Sequence, residues 1–79
     1  MSINDAEKKL TGRMIEVYGF TEGLKVSRVL SSAITGDLYK SAKNSSAFDE
    51  TYRTEDRKVE VHITGKISNG QIIIDRMDV

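Results

Sequence analysis

The stretch KVEVHITGKISNGQIIIDRMDV, residues 58–79, decides the fold. Val59, Val61, Ile63, Gly65 and Ile67 alternate with Lys58, Glu60, His62, Thr64 and Lys66, which is the two-residue period of a strand with one apolar face. Asn69-Gly70 follows. It is a strong hairpin signal, because both central residues of a type I′ turn need positive φ and these two residue types tolerate it. The spacing predicts antiparallel strands over 58–67 and 71–79.

The register of this hairpin predicts an irregularity. With a two-residue loop, Ile67 faces Ile72 and Gly65 faces Ile74. Continued unbroken, the pairing would set Ile63 against Arg76 and Val61 against Asp78, and would turn Met77 and Val79 to the polar face. A one-residue bulge near Asp75-Arg76 returns Met77 to Ile63 and Val79 to Val61. A three-residue loop ending in Gly70 is the alternative, with Ile73, Met77 and Val79 inward and Ile72 and Ile74 outward. In both cases Ile72-Ile73-Ile74 puts isoleucine on both faces. Strands that are apolar on both sides are usually covered on both sides, which makes Ile73 a candidate contact residue.

Upstream, Phe48 and Tyr52 share parity and Glu55-Asp56 has the composition of a turn. A third strand over 48–54 would give a meander; a loop is the other reading. Three strands carrying a helix layer hold together better than a lone hairpin.

The first forty residues read as helical. Ile3, Ala6, Leu10, Met14 and Val17 recur at steps of three and four within residues 3–18. Asn4 and Glu7 have the form of a capping box, and Gly19 is placed to end the helix with Phe20 folding back as its apolar contact. Thr11-Gly12 interrupts the pattern, which leaves strands over 13–18 and 24–30 as the rival reading. Residues 22–42 form a stronger helix with Thr21 as cap: Val26, Val29, Leu30, Ala33, Ile34 and Leu38 make one stripe, and Lys25, Ser27, Arg28, Ser31, Ser32 and Thr35 take the other side. Gly36 is placed to bend or end it. Lys43-Asn44-Ser45-Ser46 is a second polar break and contains a glycosylation-type tripeptide. The expected fold is α+β: two N-terminal helices packed on a small antiparallel sheet ending in a C-terminal β-hairpin, with residues 1–79 as one domain.

Composition narrows the function. The chain has 79 residues and is 38% hydrophobic, too apolar for wholesale disorder. Twelve basic side chains balance twelve acidic ones, which argues against a nucleic-acid coat or a polybasic membrane anchor. There is no cysteine, so disulfides and thiol chemistry are excluded, and a single histidine excludes a multi-histidine metal site within one chain. No apolar run is long enough to cross a bilayer, and no signal-peptide pattern opens the chain, so a cytoplasmic location is expected. A chain this short is marginal alone, and small domains add disulfides, a metal or another chain. Elimination leaves association, so a homodimer is expected.

Candidate chemistry is thin. His62 has Glu60 on the same strand face but no nucleophile at useful spacing. Asp49, Glu50, Glu55 and Asp56 cluster without a recognised acid/base or cation-binding pattern. Residues 1–43 carry seven basic against five acidic side chains and residues 44–79 the reverse, a mild bipolarity suited to complementary docking. The expectation is a non-enzymatic protein-interaction module, a small regulator, adaptor or inhibitor needing no cofactor. Ile73, Tyr39, Tyr52 and Arg28 are its candidate contact residues, and the tyrosines, Tyr18 included, are of a type enriched in interfaces. Two other readings stand beside it. One is a winged-helix-like DNA binder presenting Lys25, Arg28, Ser31 and Ser32, with the Asn69-Gly70 hairpin as wing. The other is a nucleotide or metabolite site at a dimer seam using Arg28, Arg53 or Arg57.

Overall fold

Two helices precede a three-stranded antiparallel meander: α1 (Ile3–Tyr18), α2 (Phe20–Ser41), β1 (Ala47–Arg53), β2 (Glu60–Ser68) and β3 (Gln71–Asp78), with strand order β1-β2-β3. The structure, a computed structural model, describes residues 1–41 and 47–79. The break expected at Lys43–Ser46 and its tripeptide lie outside the described residues.

The hairpin forms as its sequence dictates. Asn69 and Gly70 take φ of 53° and 75°, and Ser68 pairs with Gln71 across them. Ile67 faces Ile72 and Gly65 faces Ile74. The register then shifts so that Thr64 faces Arg76 and Ile63 faces Met77, leaving Asp75 as the extra residue. This is the bulge the alternation demanded, and the three-residue loop is not used. The bulge keeps Ile72, Ile74 and Met77 buried beside Val59, Val61, Ile63 and Ile67. Val79 packs against the same cluster. The segment with two readings, strand or loop, is a strand: β1 pairs with β2 along its length, setting Phe48 opposite Gly65 and Tyr52 opposite Val61.

Both helices run through their glycines, so strands over 13–18 and 24–30 do not occur. The cap of α1 differs from expectation. Ser2, not Asn4, stands at the cap: its hydroxyl accepts from the Asp5 amide at 3.1 Å and its carbonyl accepts from Ala6 at 3.0 Å. Ser2 and Asp5 thus do the work assigned to Asn4 and Glu7, and Asp5 sits where the helix dipole favours an anion. The turn between the helices is also tighter than expected. Gly19, at φ 84°, donates its amide to the Ile15 carbonyl at 2.9 Å, and its own carbonyl accepts from Gly23 at 2.8 Å. One glycine therefore ends α1 and begins α2. Phe20 does not fold back; it opens α2 and is 68% exposed, and Thr21 lies inside the helix rather than capping it.

Ala6, Leu10 and Met14 of α1 are buried over the sheet, and α1 runs alongside β3. The Met1 ammonium donates to the Ile74 carbonyl at 3.1 Å and Lys9 Nζ to the Met77 carbonyl at 2.7 Å, so cationic groups occupy the outer rim of β3. α2 packs against α1. Its contact arc differs from the stripe expected from hydropathy. Gly23, Ser27, Ile34 and Leu38 are buried, whereas Val29 is 72% exposed and Ala33 lies outside that buried arc. The reason is close approach. A Cβ on Gly23 would lie 2.8 Å from the backbone of Met14 and Ile15, and Ser27 reaches α1 through a hydrogen bond with Thr11 at 2.8 Å. Small residues let the backbones meet there, which rotates Val29 and Ala33 out of the core.

Candidate functional site

The rotation of α2 leaves an apolar cleft. Val26, Val29, Leu30 and Ala33 form one wall, spaced along a single helix flank. Tyr18 and the corner between β1 and β2, Arg53 to Asp56, form the other. The cavity measures about 460 Å³ and its lining is mostly carbon, with Glu22, Lys25 and Glu55 at the rim. A second, much smaller depression of about 40 Å³ lies over the core between α1, α2 and the sheet.

The polar end of the cleft is built around Asp56. Its Oδ1 accepts from the Tyr18 hydroxyl at 2.6 Å, from Thr54 Oγ1 at 2.7 Å and from the Lys58 amide at 3.0 Å. Thr54 is buried, and its Oγ1 also accepts from the Val59 amide at 3.2 Å. Arg57 sits in the same turn at φ 61°. The donors hold the Asp56 carboxyl down at about 2, the Tyr18 hydroxyl first, then the Lys58 amide and Thr54. Burial, and then the bond to Asp56, pushes the Tyr18 phenol up. Along the same side, the Tyr52 hydroxyl donates to Asp37 at 2.5 Å and ties β1 to α2. Burial and then Asp37 raise its pKa as well.

Asp56 thereby ties the end of α1 to the sheet, and this has a pH signature. Its folded-state pKa lies below the ordinary value of 3.8. The stabilisation is therefore complete above about pH 4 and is lost as pH falls toward 2. In Asp56→Asn that loss is expected to disappear. The difference in urea midpoint between wild type and variant should be constant above pH 4 and shrink as pH falls toward 2; a constant difference down to pH 2 would refute the role.

The four residues named as contacts do not come together. Arg28 and Tyr39 are exposed on α2, away from the arc buried against α1. Tyr52 is half-buried beneath β1 with its hydroxyl engaged by Asp37. Ile73 is 40% exposed on the outer sheet face, opposite Lys66. That face is otherwise polar: His62 Nε2 meets Asp49 Oδ1 at 2.6 Å, Arg53 meets Glu60 at 2.8 Å and Arg76 meets Asp78 at 2.9 Å. Arg28, Arg53 and Arg57 likewise occupy a helix face, a strand end and a turn. The acidic group disperses too, with Asp49 on His62 and Asp56 in its own turn. Among the described residues no group of three or more His, Asp or Glu is placed to hold a metal ion, and no helix is long and apolar enough to cross a membrane.

Hydropathy placed Val29 and Ala33 in the core, so the cleft was missed. The signal that finds it is the Gly23-x-x-x-Ser27 spacing, which marks the flank of α2 that approaches α1 and so places Val29 elsewhere. Compared with known proteins, the chain matches no family model, no curated protein sequence and no solved structure.

Proposed function

We propose that this chain is a non-enzymatic protein-interaction module, a regulator, adaptor or inhibitor working as a homodimer, that grips an amphipathic helical segment of a larger protein. The observation that carries this is the apolar flank Val26-Val29-Leu30-Ala33 standing open beside the β1–β2 corner. Residues at i, i+3, i+4 and i+7 form a ridge of the kind a second helix packs against, and a mixed-charge rim of Glu22, Lys25 and Glu55 suits a segment carrying both signs. Exposed apolar surface of this kind, rimmed by polar groups, marks association sites.

Val29→Asp is the test. The side chain is largely exposed, so stability should stay within about 0.5 kcal/mol of wild type. Burying the new carboxylate against an apolar partner should weaken binding about 30-fold or more. Thr35→Asp, exposed on the far side of α2, is the control. A partner retained from a lysate of the source organism by wild type and by Thr35→Asp but lost by Val29→Asp supports the reading. Equal retention by Val29→Asp removes it.

A further inference from the structure

We infer that two copies of this chain join through their β1 strands, antiparallel about Thr51, to make one continuous six-stranded sheet. This rests on the two-copy part of the reading above and supplies its seam. The two edges of the sheet are treated differently. At β3 the outward carbonyls of Ile74 and Met77 are occupied by the Met1 ammonium and Lys9. At β1 the other edge is open among the described residues. The Thr54 amide, just past the end of β1, donates to the Val59 carbonyl at 3.0 Å and so points toward β2. Alternation then points the main-chain groups of Phe48, Glu50 and Tyr52 toward β2 and those of Asp49, Thr51 and Arg53 away from it. Among the described residues nothing bonds the latter three on that side. An open row of amides and carbonyls is a template for another strand.

The side chains select the strand. Centred on Thr51, antiparallel self-pairing sets Asp49 opposite Arg53 of the second copy, Thr51 opposite Thr51, and Glu50 opposite Tyr52. The outward-pointing groups coincide as hydrogen-bonded pairs, and like side-chain faces stay together. Of the next permitted registers, one sets Glu50 against Glu50 and the other, centred on Tyr52, pairs only Thr51–Arg53 of each strand because the chain turns after Thr54; those beyond set Asp49 against Asp49 or Arg53 against Arg53. Like charges directly opposite destabilise a pair, so the Thr51-centred register is the longest one free of them. It also links existing side-chain pairs into one chain across the two-fold axis: His62 to Asp49, then Arg53 and Glu60 of the second copy.

Sedimentation of the purified chain with three variants tests this. Thr51→Pro removes an amide that points away from β2, so the fold is kept while self-association weakens roughly a hundredfold. Asp49→Arg alone and Arg53→Asp alone each place like charges opposite and should be monomeric. Mixed in equal amounts, they should form a heterodimer. The two reversed charges then face each other across one half of the seam, and the native pairing of Asp49 with Arg53 is kept across the other. Rescue on mixing cannot come from repair of a misfolded chain. A dimer that survives Thr51→Pro, or variants that do not rescue each other, would overturn the seam but leave two-copy assembly standing. A wild type monomeric at millimolar concentration would overturn both.

Discussion

Gly65→Ala is expected to remove most of this protein's stability. Gly65 sits on the buried face of β2 directly after the shift in register. A Cβ there would lie 2.1 Å from the Ile73 carbonyl oxygen and 2.8 Å from the end of the Phe48 ring. The ring can swing, but the carbonyl belongs to the neighbouring strand and is fixed by the ladder. Relief therefore requires β3 to move, and with it Ile72 and Ile74, whose burial holds that strand to the core. Overpacking of this severity costs about 3 kcal/mol or more. For a domain of this size that lowers Tm by roughly 12–24 °C, against a total stability of only about 5 kcal/mol. Thermal unfolding followed by circular dichroism reads it directly. A Tm within about 3 °C of wild type, less than 1 kcal/mol corresponds to in so small a domain, would show that the sheet does not need Gly65 and that the bulge is elastic.

The same position shows how far the residues disclose the fold. The hairpin, its turn and its bulge were all legible, because strand alternation is a strict period of two and Met77 and Val79 would otherwise have faced water. Gly65 was legible as a member of the buried row but not as the site of closest contact, since nothing in the alternation reports where a neighbouring carbonyl comes to rest. β1 was half legible: Phe48 and Tyr52 share a face, yet Glu50 stands between them on that same side, and only pairing with β2 decides for a strand. The cap of α1 was read two residues late, because Asn4 with Glu7 and Ser2 with Asp5 satisfy the same local rule. The cleft was hidden for a different reason. Six apolar positions on α2 look like one wide stripe, and hydropathy gives no weight to Gly23 or Ser27, which set the rotation of the helix through space rather than through hydrophobicity.

That last point yields a contrast among the helical glycines in which intrinsic propensity and packing pull in opposite directions. Alanine gains about 1 kcal/mol over glycine inside a helix. At Gly12 and Gly36 a Cβ would meet nothing within 4 Å, so Gly12→Ala and Gly36→Ala should each stabilise by up to about 1 kcal/mol. At Gly23 the same Cβ would lie 2.8 Å from backbone atoms of Met14 and Ile15, and backbone cannot step aside as a side chain does. α2 would have to lift from α1, loosening the bond between Thr11 and Ser27 and the seating of Ile34 and Leu38. The packing loss, about 2–3 kcal/mol, exceeds the propensity gain, so Gly23→Ala should destabilise by about 1–2 kcal/mol net. Urea midpoints of the three alanine variants give the signs: up, up and down. If Gly23→Ala rose with the others, α2 would not be seated on α1 through its small residues. The exposure of Val29 and the outward turn of Ala33, on which the cleft depends, would then lose their physical cause.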